Sequence, residues 1–317
     1  MLAIVCPGQG SQTPGFLAPW LELPSVADRL GVLGEVAGLD LVAHGTTSNE
    51  ETIKDTAVAQ PLLVAAGIVA AEAMFDAELS DLPVVLAGHS VGEITASALA
   101  GVLSAEDAMR FVAVRARGMA RAAALTPTGM SAVVGGDREE VLSAIAAAGA
   151  EPANVNGGGQ IVAAGTFEAL QKLADNPPAK TRVIPLKVAG AFHTQHMASA
   201  VADLEALRPD LTVRDPDVPL LSNFDGAEVT SGDAAVASLV AQVSRPVRWD
   251  LCMETLVDRG VTGLIELAPA GTLVGLAKRG MPGVKTVALK TPADVDAALA
   301  LFAADAMGDA QTNKETV

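Results

Sequence analysis

Ser90 stands between two glycines in Gly88-His89-Ser90-Val91-Gly92, with the apolar run LPVVLA before it and EITASALAGVL after it. A G-x-S-x-G pattern between an expected strand and an expected helix is the setting of a nucleophile elbow. The glycines suit a turn tight enough to strain a side-chain-bearing backbone and close enough to neighbouring chain to exclude a Cβ. Ser90 then offers its hydroxyl at a helix N-terminus. There the free N–H groups of the first turn, beginning with that of Val91, face any oxyanion formed on an attacked carbonyl. A plain glycine-serine link between strand and helix is the alternative. The flanking elements favour the nucleophile, although the motif alone does not name the reaction.

A serine hydroxyl needs a base to take its proton, and histidine is the usual one. The chain has His44, His89, His193 and His196. His89 adjoins Ser90, and on an elbow its side chain leaves in another direction. His44 lies in the polar segment LVAHGTTSN, away from other chemistry, and His196 reads as a helix-face residue. His193 stands in VAGAFHTQHM, where an extended segment passes through Gly190 toward a helix, so a loop can aim it into a cleft. It is the best placed of the four.

Two further features bear on catalysis. In PGQGSQ, Pro7 to Gln12, glycines flank Gln9, whose N–H can approach a ligand and serve as the second donor of an oxyanion hole. No GxGxxG or GxxxxGK[ST] pattern follows, so nucleotide binding is disfavoured. In MRFVAVRARGMARAA, Arg110, Arg117 and Arg121 fall within about 40° of one another at about 100° per residue, a solvated basic stripe. Arg115 lies roughly 140° away, among Ala108, Phe111, Val112 and Met119. An arginine on an apolar face must be paired. Its partner is either an internal Asp or Glu or a substrate carboxylate, which the guanidinium fork matches bidentately. The wheel leaves both open.

The elements that would position these residues alternate along the chain. Strand-like segments at Leu2–Val5, Leu82–Ala87, Gly263–Leu267 and Lys285–Ala288 alternate with helical stretches such as Leu62–Phe75, Val91–Leu103 and Ala105–Ala124. That alternation predicts an α/β fold with a largely parallel sheet. Ser104 with Asp107 marks a helix start. From about Gly129 to Lys187 the order becomes MSAVVG, a helix capped by Asp137 and stopped by Gly149, PANVN, a GGG turn, QIVAAG, a helix from Thr166, and RVIPL. This β-α-β-β-α-β succession is ferredoxin-like. The expected organisation is a large α/β-hydrolase-like catalytic part, residues 1–128 and 188–317, with an inserted ferredoxin-like subdomain, residues 129–187. The polar tail GDAQTNKETV is expected to fray.

Composition sets outer bounds. The 317 residues can bury a large core, and half of them are apolar. With 21 Lys+Arg against 37 Asp+Glu, the net charge of −16 disfavours nucleic acid and anionic membrane as partners. Two isolated cysteines, Cys6 and Cys252, give neither a disulfide framework nor a metal site. The start MLAIVCPGQG has no basic segment, so no secretory signal is expected and a cytoplasmic location is. The apolar run PLLVAAGIVAA, closed by Glu72, reads as a core helix too short to span a bilayer.

PGQGSQ, GHSVGE with Arg115 downstream, NVNGGGQIVAAG, GAFHTQHM and LVAQVSRPVRW occur in one order, and together they make the sequence resemble the malonyl-CoA:acyl carrier protein transacylase family from about Leu2 to Leu289. The resemblance implies that Ser90 is the acylated nucleophile and His193 its base. It implies an oxyanion hole from the N–H groups of Gln9 and Val91, and Arg115 as the clamp on the malonyl carboxylate. The main-chain carbonyl of Gln242 would orient His193, a dyad without an acid, and Phe192 would crowd the carbon between the malonyl carbonyls. Two segments depart from the family pattern, Thr194-Gln195-His196-Met197 after the histidine and Ala268 to Gly271 where a GPG run is usual.

The implied reaction is ping-pong, from malonyl-CoA to the phosphopantetheine thiol of acyl carrier protein, with no cofactor and no metal. Because such carriers are acidic, docking needs basic residues near the cleft, with Lys187, Arg245, Arg248, Lys278 and Arg279 as candidates. An ordinary α/β-hydrolase or esterase is the main rival. It wants an acid after the serine and a histidine after the last strand, whereas no histidine follows His196. An inactive docking module is the other rival, which the intact Ser90, Arg115 and His193 oppose.

Overall fold

The computed structural model describes residues 1–75 and 79–312, with side chains described as far as Ala304. Among the described residues nine strands form two sheets: β1 Leu2–Cys6, β2 Val84–Gly88, β3 Thr128–Gly135, β4 Glu151–Gly157, β5 Gln160–Thr166, β6 Thr181–Pro185, β7 Val247–Arg248, β8 Gly263–Glu266 and β9 Lys285–Ala288. The first sheet runs β2-β1-β8-β9 and is parallel throughout. Every residue of β1 and β2 is buried, as expected when a parallel sheet is covered on both faces. Leu2 and Ile4 enter one core cluster, Ala3 and Val5 the cluster on the opposite face. β2 begins at Val84 rather than Leu82, because Pro83 has no N–H to give the ladder.

The helices follow their capping residues. Ser104 accepts from the Asp107 N–H and opens the helix Ala105–Leu125, on which Arg110, Arg117 and Arg121 are exposed and Arg115 is buried. The helix expected at Leu62–Phe75 starts earlier and spans Thr56–Met74, because Asp55 caps it and Pro61 falls near its N-terminal end. By length and composition it could cross a membrane, yet it is buried almost all round. It is a core helix of this fold. The tail expected to fray continues the helix Val295–Thr312 as far as Thr312, and residues 313–317 lie outside the described residues.

The second sheet runs β6-β3-β5-β4-β7. β3 pairs antiparallel with β5 and β6, and β4 pairs antiparallel with β5. The helices Arg138–Ala148, capped by Asp137 and closed by Gly149, and Phe167–Asp175, capped by Thr166, complete the ferredoxin-like order. Their apolar faces meet Val133, Val155 and Ile161 in a core of their own. One strand was not legible in the sequence. β7 adds to β4 in parallel from far downstream, and two residues carry no periodicity to read.

Candidate active site

Ser90 sits on the turn between β2 and the helix Gly92–Leu99, with φ of 55°. That is left-handed backbone, a strained position for a residue with a side chain. A Cβ on Gly88 would lie 2.1 Å from the Gly92 backbone, and one on Gly92 would lie 2.1 Å from the Cys6 carbonyl oxygen. Both glycines of the motif are therefore demanded by close approach. The Ser90 N–H donates to Asn223 Oδ1 at 2.8 Å, and Asn223 Nδ2 donates to the Gly88 carbonyl, which pins the turn from a distant segment.

His193 is buried and also left-handed, with φ of 61°. Its Nδ1–H donates to the Gln242 carbonyl oxygen at 2.8 Å, so Nε2 carries the lone pair and accepts from the Ser90 hydroxyl at 2.6 Å. Burial, and next the positive charge of Arg115, push the imidazole down to about 3, which keeps the resting ring neutral. A neutral imidazole in hydrogen-bond contact with a serine can receive its proton. The other histidines make other contacts: His44 meets Ser48, His196 is half-buried on the segment Gln195–Ala200, and His89, which lines the same cleft, turns its Nε2–H to Asn156 Oδ1 at 2.8 Å.

Arg115 is 1% exposed. Its Nη1 donates to Gln60 Oε1 at 2.7 Å and its Nη2 to Gln242 Oε1 at 2.9 Å, with Ser90 Oγ 3.4 Å from Nη2. Among the described residues no carboxylate forms an ion pair with it, and its Nε is buried without a partner. The internal acid that the helical wheel left open is absent from its contacts. Burial pushes the guanidinium down to about 10, with Glu93 pulling the other way. A charged fork held by two neutral amides beside a serine hydroxyl can take an anionic group.

Ser90 and His193 open on one side of a cleft of about 210 Å³, lined there also by Gln9, Gln60, His89 and Phe192, with Arg115 and Gln242 buried behind it. Met130, Ala132, Asn154, Asn156, Gln160 and Val162 from the second sheet line the other. Val91 is fully buried directly after Ser90. Of the basic docking candidates, Lys187 is exposed between the lining residues Leu186 and Val188. Lys278 and Arg279 are exposed near the end of the helix Thr272–Gly280, whose Thr272, Leu273 and Leu276 line the cleft. Arg245 lies over the exposed Phe224 ring at 5.5 Å. Arg248 is half-buried and Asp250 holds it through two hydrogen bonds.

Comparison with known proteins places this geometry. Residues 3–306 match the model of the acyl transferase domain. The malonyl CoA-acyl carrier protein transacylase of Mycobacterium tuberculosis is 52% identical over 297 residues, covering 93% of this chain and 98% of that one. This chain belongs to that transacylase family. The crystal structure of MCAT from Mycobacterium tuberculosis superposes with a TM-score of 0.90 at 53% identity, covering 93% of this chain and 98% of that one. A malonyl-transacylase solved in complex with its type II PKS acyl-carrier protein has a TM-score of 0.87 at 31% identity, covering 94% and 98% of the two chains.

Three polar residues of the transacylase site went unread in the sequence. Gln60 is the lone buried amide in an apolar helix, a signal that was present. Glu93 follows the elbow motif directly and is buried at 2% exposure, a position where a carboxylate needs a reason. Asn223 had no signal. Its contacts with Gly88 and Ser90 span more than half of the chain's first 223 residues and exist only after folding. The departure at Thr194 is structural, since its hydroxyl donates to the Ala191 carbonyl and accepts from the His196 N–H.

Proposed function

We propose that this chain moves the malonyl group from malonyl-CoA to the phosphopantetheine thiol of acyl carrier protein, through a malonyl ester on Ser90, and so supplies fatty-acid or polyketide synthesis in the cytoplasm. The observation that carries the reading is the buried fork of Arg115, free of any ion pair among the described residues and 3.4 Å from the Ser90 hydroxyl. A thioester whose carboxylate meets that fork brings its carbonyl to the serine. The relative solved with its acyl-carrier protein supports the acceptor.

In this mechanism His193 Nε2 takes the Ser90 proton as Oγ bonds to the thioester carbon, and the oxyanion faces the N–H groups of Gln9 and Val91. Collapse breaks the C–S bond, and the departing CoA sulfur receives the proton from His193. The carrier's thiol then runs the same steps in reverse order, returning Ser90 to its hydroxyl. The Gln242 carbonyl takes the place of a triad acid, fixing the tautomer and accepting the N–H of the transient imidazolium. The substrate carboxylate also matters electrostatically. Arg115 disfavours a charged His193, and an anion on Arg115 offsets that repulsion just when the imidazolium forms. No cofactor enters these steps.

We assign the cleft to the seam between a catalytic part, residues 1–128 and 188–317, and a small ferredoxin-like part, residues 129–187. The direct test is intact mass after mixing with malonyl-CoA. A malonyl increment localised to Ser90 is the expected result, and its absence would remove the proposal.

Phe192 is 6% exposed and lines the cleft beside His193. Phe192→Ser is expected to admit methylmalonyl-CoA better. A methyl-sized difference is worth roughly 1–3 kcal/mol, so preference should relax rather than reverse. Relative kcat/KM for the two substrates measures this, and an unchanged ratio would reject the assignment of Phe192.

Transfer to carrier protein should weaken as salt rises, while transfer to free pantetheine should change little. Only the protein acceptor would use the exposed cations Lys187, Arg245, Lys278 and Arg279. Equal salt dependence for both acceptors would remove the docking role of these residues.

A further inference from the structure

Catalysis as described leaves the buried carboxylate beside Gln242 without a task. Glu93 lies one turn after Ser90 on the helix Gly92–Leu99, is 2% exposed and touches neither His193 nor Arg115 directly. Its Oε2 accepts from Gln242 Nε2, and its Oε1 accepts from the Asn223 N–H at 3.2 Å. Those two partners reach the clamp, the base and the turn that carries the serine. Gln242 presents Oε1 to Arg115 at 2.9 Å and its main-chain oxygen to His193 at 2.8 Å. Asn223 accepts the Ser90 N–H at 2.8 Å and donates to the Gly88 carbonyl at 2.6 Å.

A side-chain amide has one accepting end and one donating end, and three neighbours decide how Gln242 lies: the donor-only fork of Arg115 on its oxygen, and Asn223 Oδ1, at 3.2 Å, with Glu93 on its NH₂. An ionised carboxylate is acceptor-only, so a Gln242 amide lying against Glu93 must turn its NH₂ to Glu93 and its oxygen to Arg115. The opposite orientation would set NH₂ against guanidinium and oxygen against carboxylate, two repulsive contacts in a dry site.

We propose that Glu93 is a positioning residue that strengthens the malonyl preference from behind the site, by supplying the charged acceptor that, with Asn223 Oδ1, holds the Gln242 NH₂ and so keeps its oxygen on the Arg115 fork. This rests on the malonyl-transfer reading above. The acid absent from the Ser-His pair is thus present one residue removed, holding the glutamine that serves both the base and the clamp. Glu93 also balances the charge of Arg115 through Gln242, leaving the fork's open side for the substrate.

Protonation of Glu93 would remove its charge, add a donor and weaken the constraint. Burial pushes this carboxyl up to about 7, against the opposing pull of Asn223, Ser222, Gln242 and Arg115. The titratable groups facing it are Arg115, from the helix Ala105–Leu125, and the Cys252 thiol, from the helix Trp249–Asp258, which burial keeps neutral. Malonyl preference should therefore be full above about 7 and decline as pH falls through that value. The demand on His193 is common to all acyl groups and cancels in a ratio.

The experiment is the ratio of malonyl to acetyl kcat/KM across pH for the parent protein, Glu93→Gln and Glu93→Asp. Glu93→Gln removes the charged acceptor that, together with Arg115 and Asn223 Oδ1, holds the Gln242 amide in one direction, and the ratio should fall about tenfold to a hundredfold, the scale of a hydrogen bond to a charged group. Its pH dependence below neutrality should vanish. Glu93→Asp, still acceptor-only, should recover part of the preference. Equal losses for both acyl groups, or an unchanged ratio, would overturn the proposal, because a merely structural Glu93 would not discriminate between them. The parent's pH profile decides the matter even where a variant folds poorly, and a flat ratio there also overturns it. A malonyl adduct and preference in the parent, with no response to Glu93, would sink this inference alone. A parent without malonyl preference would remove the underlying reading and this one together.

Discussion

Mixed with malonyl-CoA, the Ser90→Ala protein is expected to gain no mass, and the His193→Ala protein to acquire the malonyl group only slowly. The serine Oγ is the only atom of the site placed to form the ester, 2.6 Å from an imidazole whose other nitrogen is already committed to the Gln242 carbonyl. Without that oxygen there is nothing to acylate. Without the imidazole the hydroxyl keeps its proton, and loss of a positioned base costs about 10²–10⁴ in rate. Both variants should fold, because each exchange trims a side chain that faces the cleft and leaves the core clusters untouched. Intact mass over time, with thermal unfolding alongside, checks both. A malonyl adduct persisting in Ser90→Ala would overturn the assignment of the nucleophile.

The second large effect belongs to Arg115. Arg115→Ala should lose malonyl transfer while keeping or gaining transfer of acetyl and other neutral acyl groups. A desolvated charge pair between fork and carboxylate is worth roughly 2–5 kcal/mol, and only the malonyl substrate forfeits it. For neutral acyl groups the change helps, because the positive charge that opposes a protonated His193 is gone. Some loss of thermal stability should accompany the exchange, since Gln60 and Gln242 lose a buried donor and Glu93 its balancing charge. The ratio of malonyl to acetyl kcat/KM separates the two effects. A ratio unaffected by the mutation, in a destabilised protein, would move Arg115 from substrate recognition to the scaffold.

Much of this site was legible before folding because its signals are local. The elbow needs five consecutive residues, and both its glycines are required by contacts within that turn and with β1, the adjacent strand. Helix starts at Ser104, Asp137 and Thr166 follow from side chains that satisfy N–H groups two or three residues on. The burial of Arg115 was readable from helical periodicity. Its freedom from an internal acid was not, because that depends on which side chains of other elements arrive beside it. The same limit hid Asn223, Gln242's side-chain role and β7. Each acts through a hydrogen bond between segments far apart in the chain, for which neither composition nor period carries a trace. Local sequence therefore determined which residues are equipped for acyl transfer. Tertiary packing alone decided that Arg115 stays open toward the serine, that a carbonyl rather than an acid steadies His193, and that the nearest buried acid stands one residue behind them both.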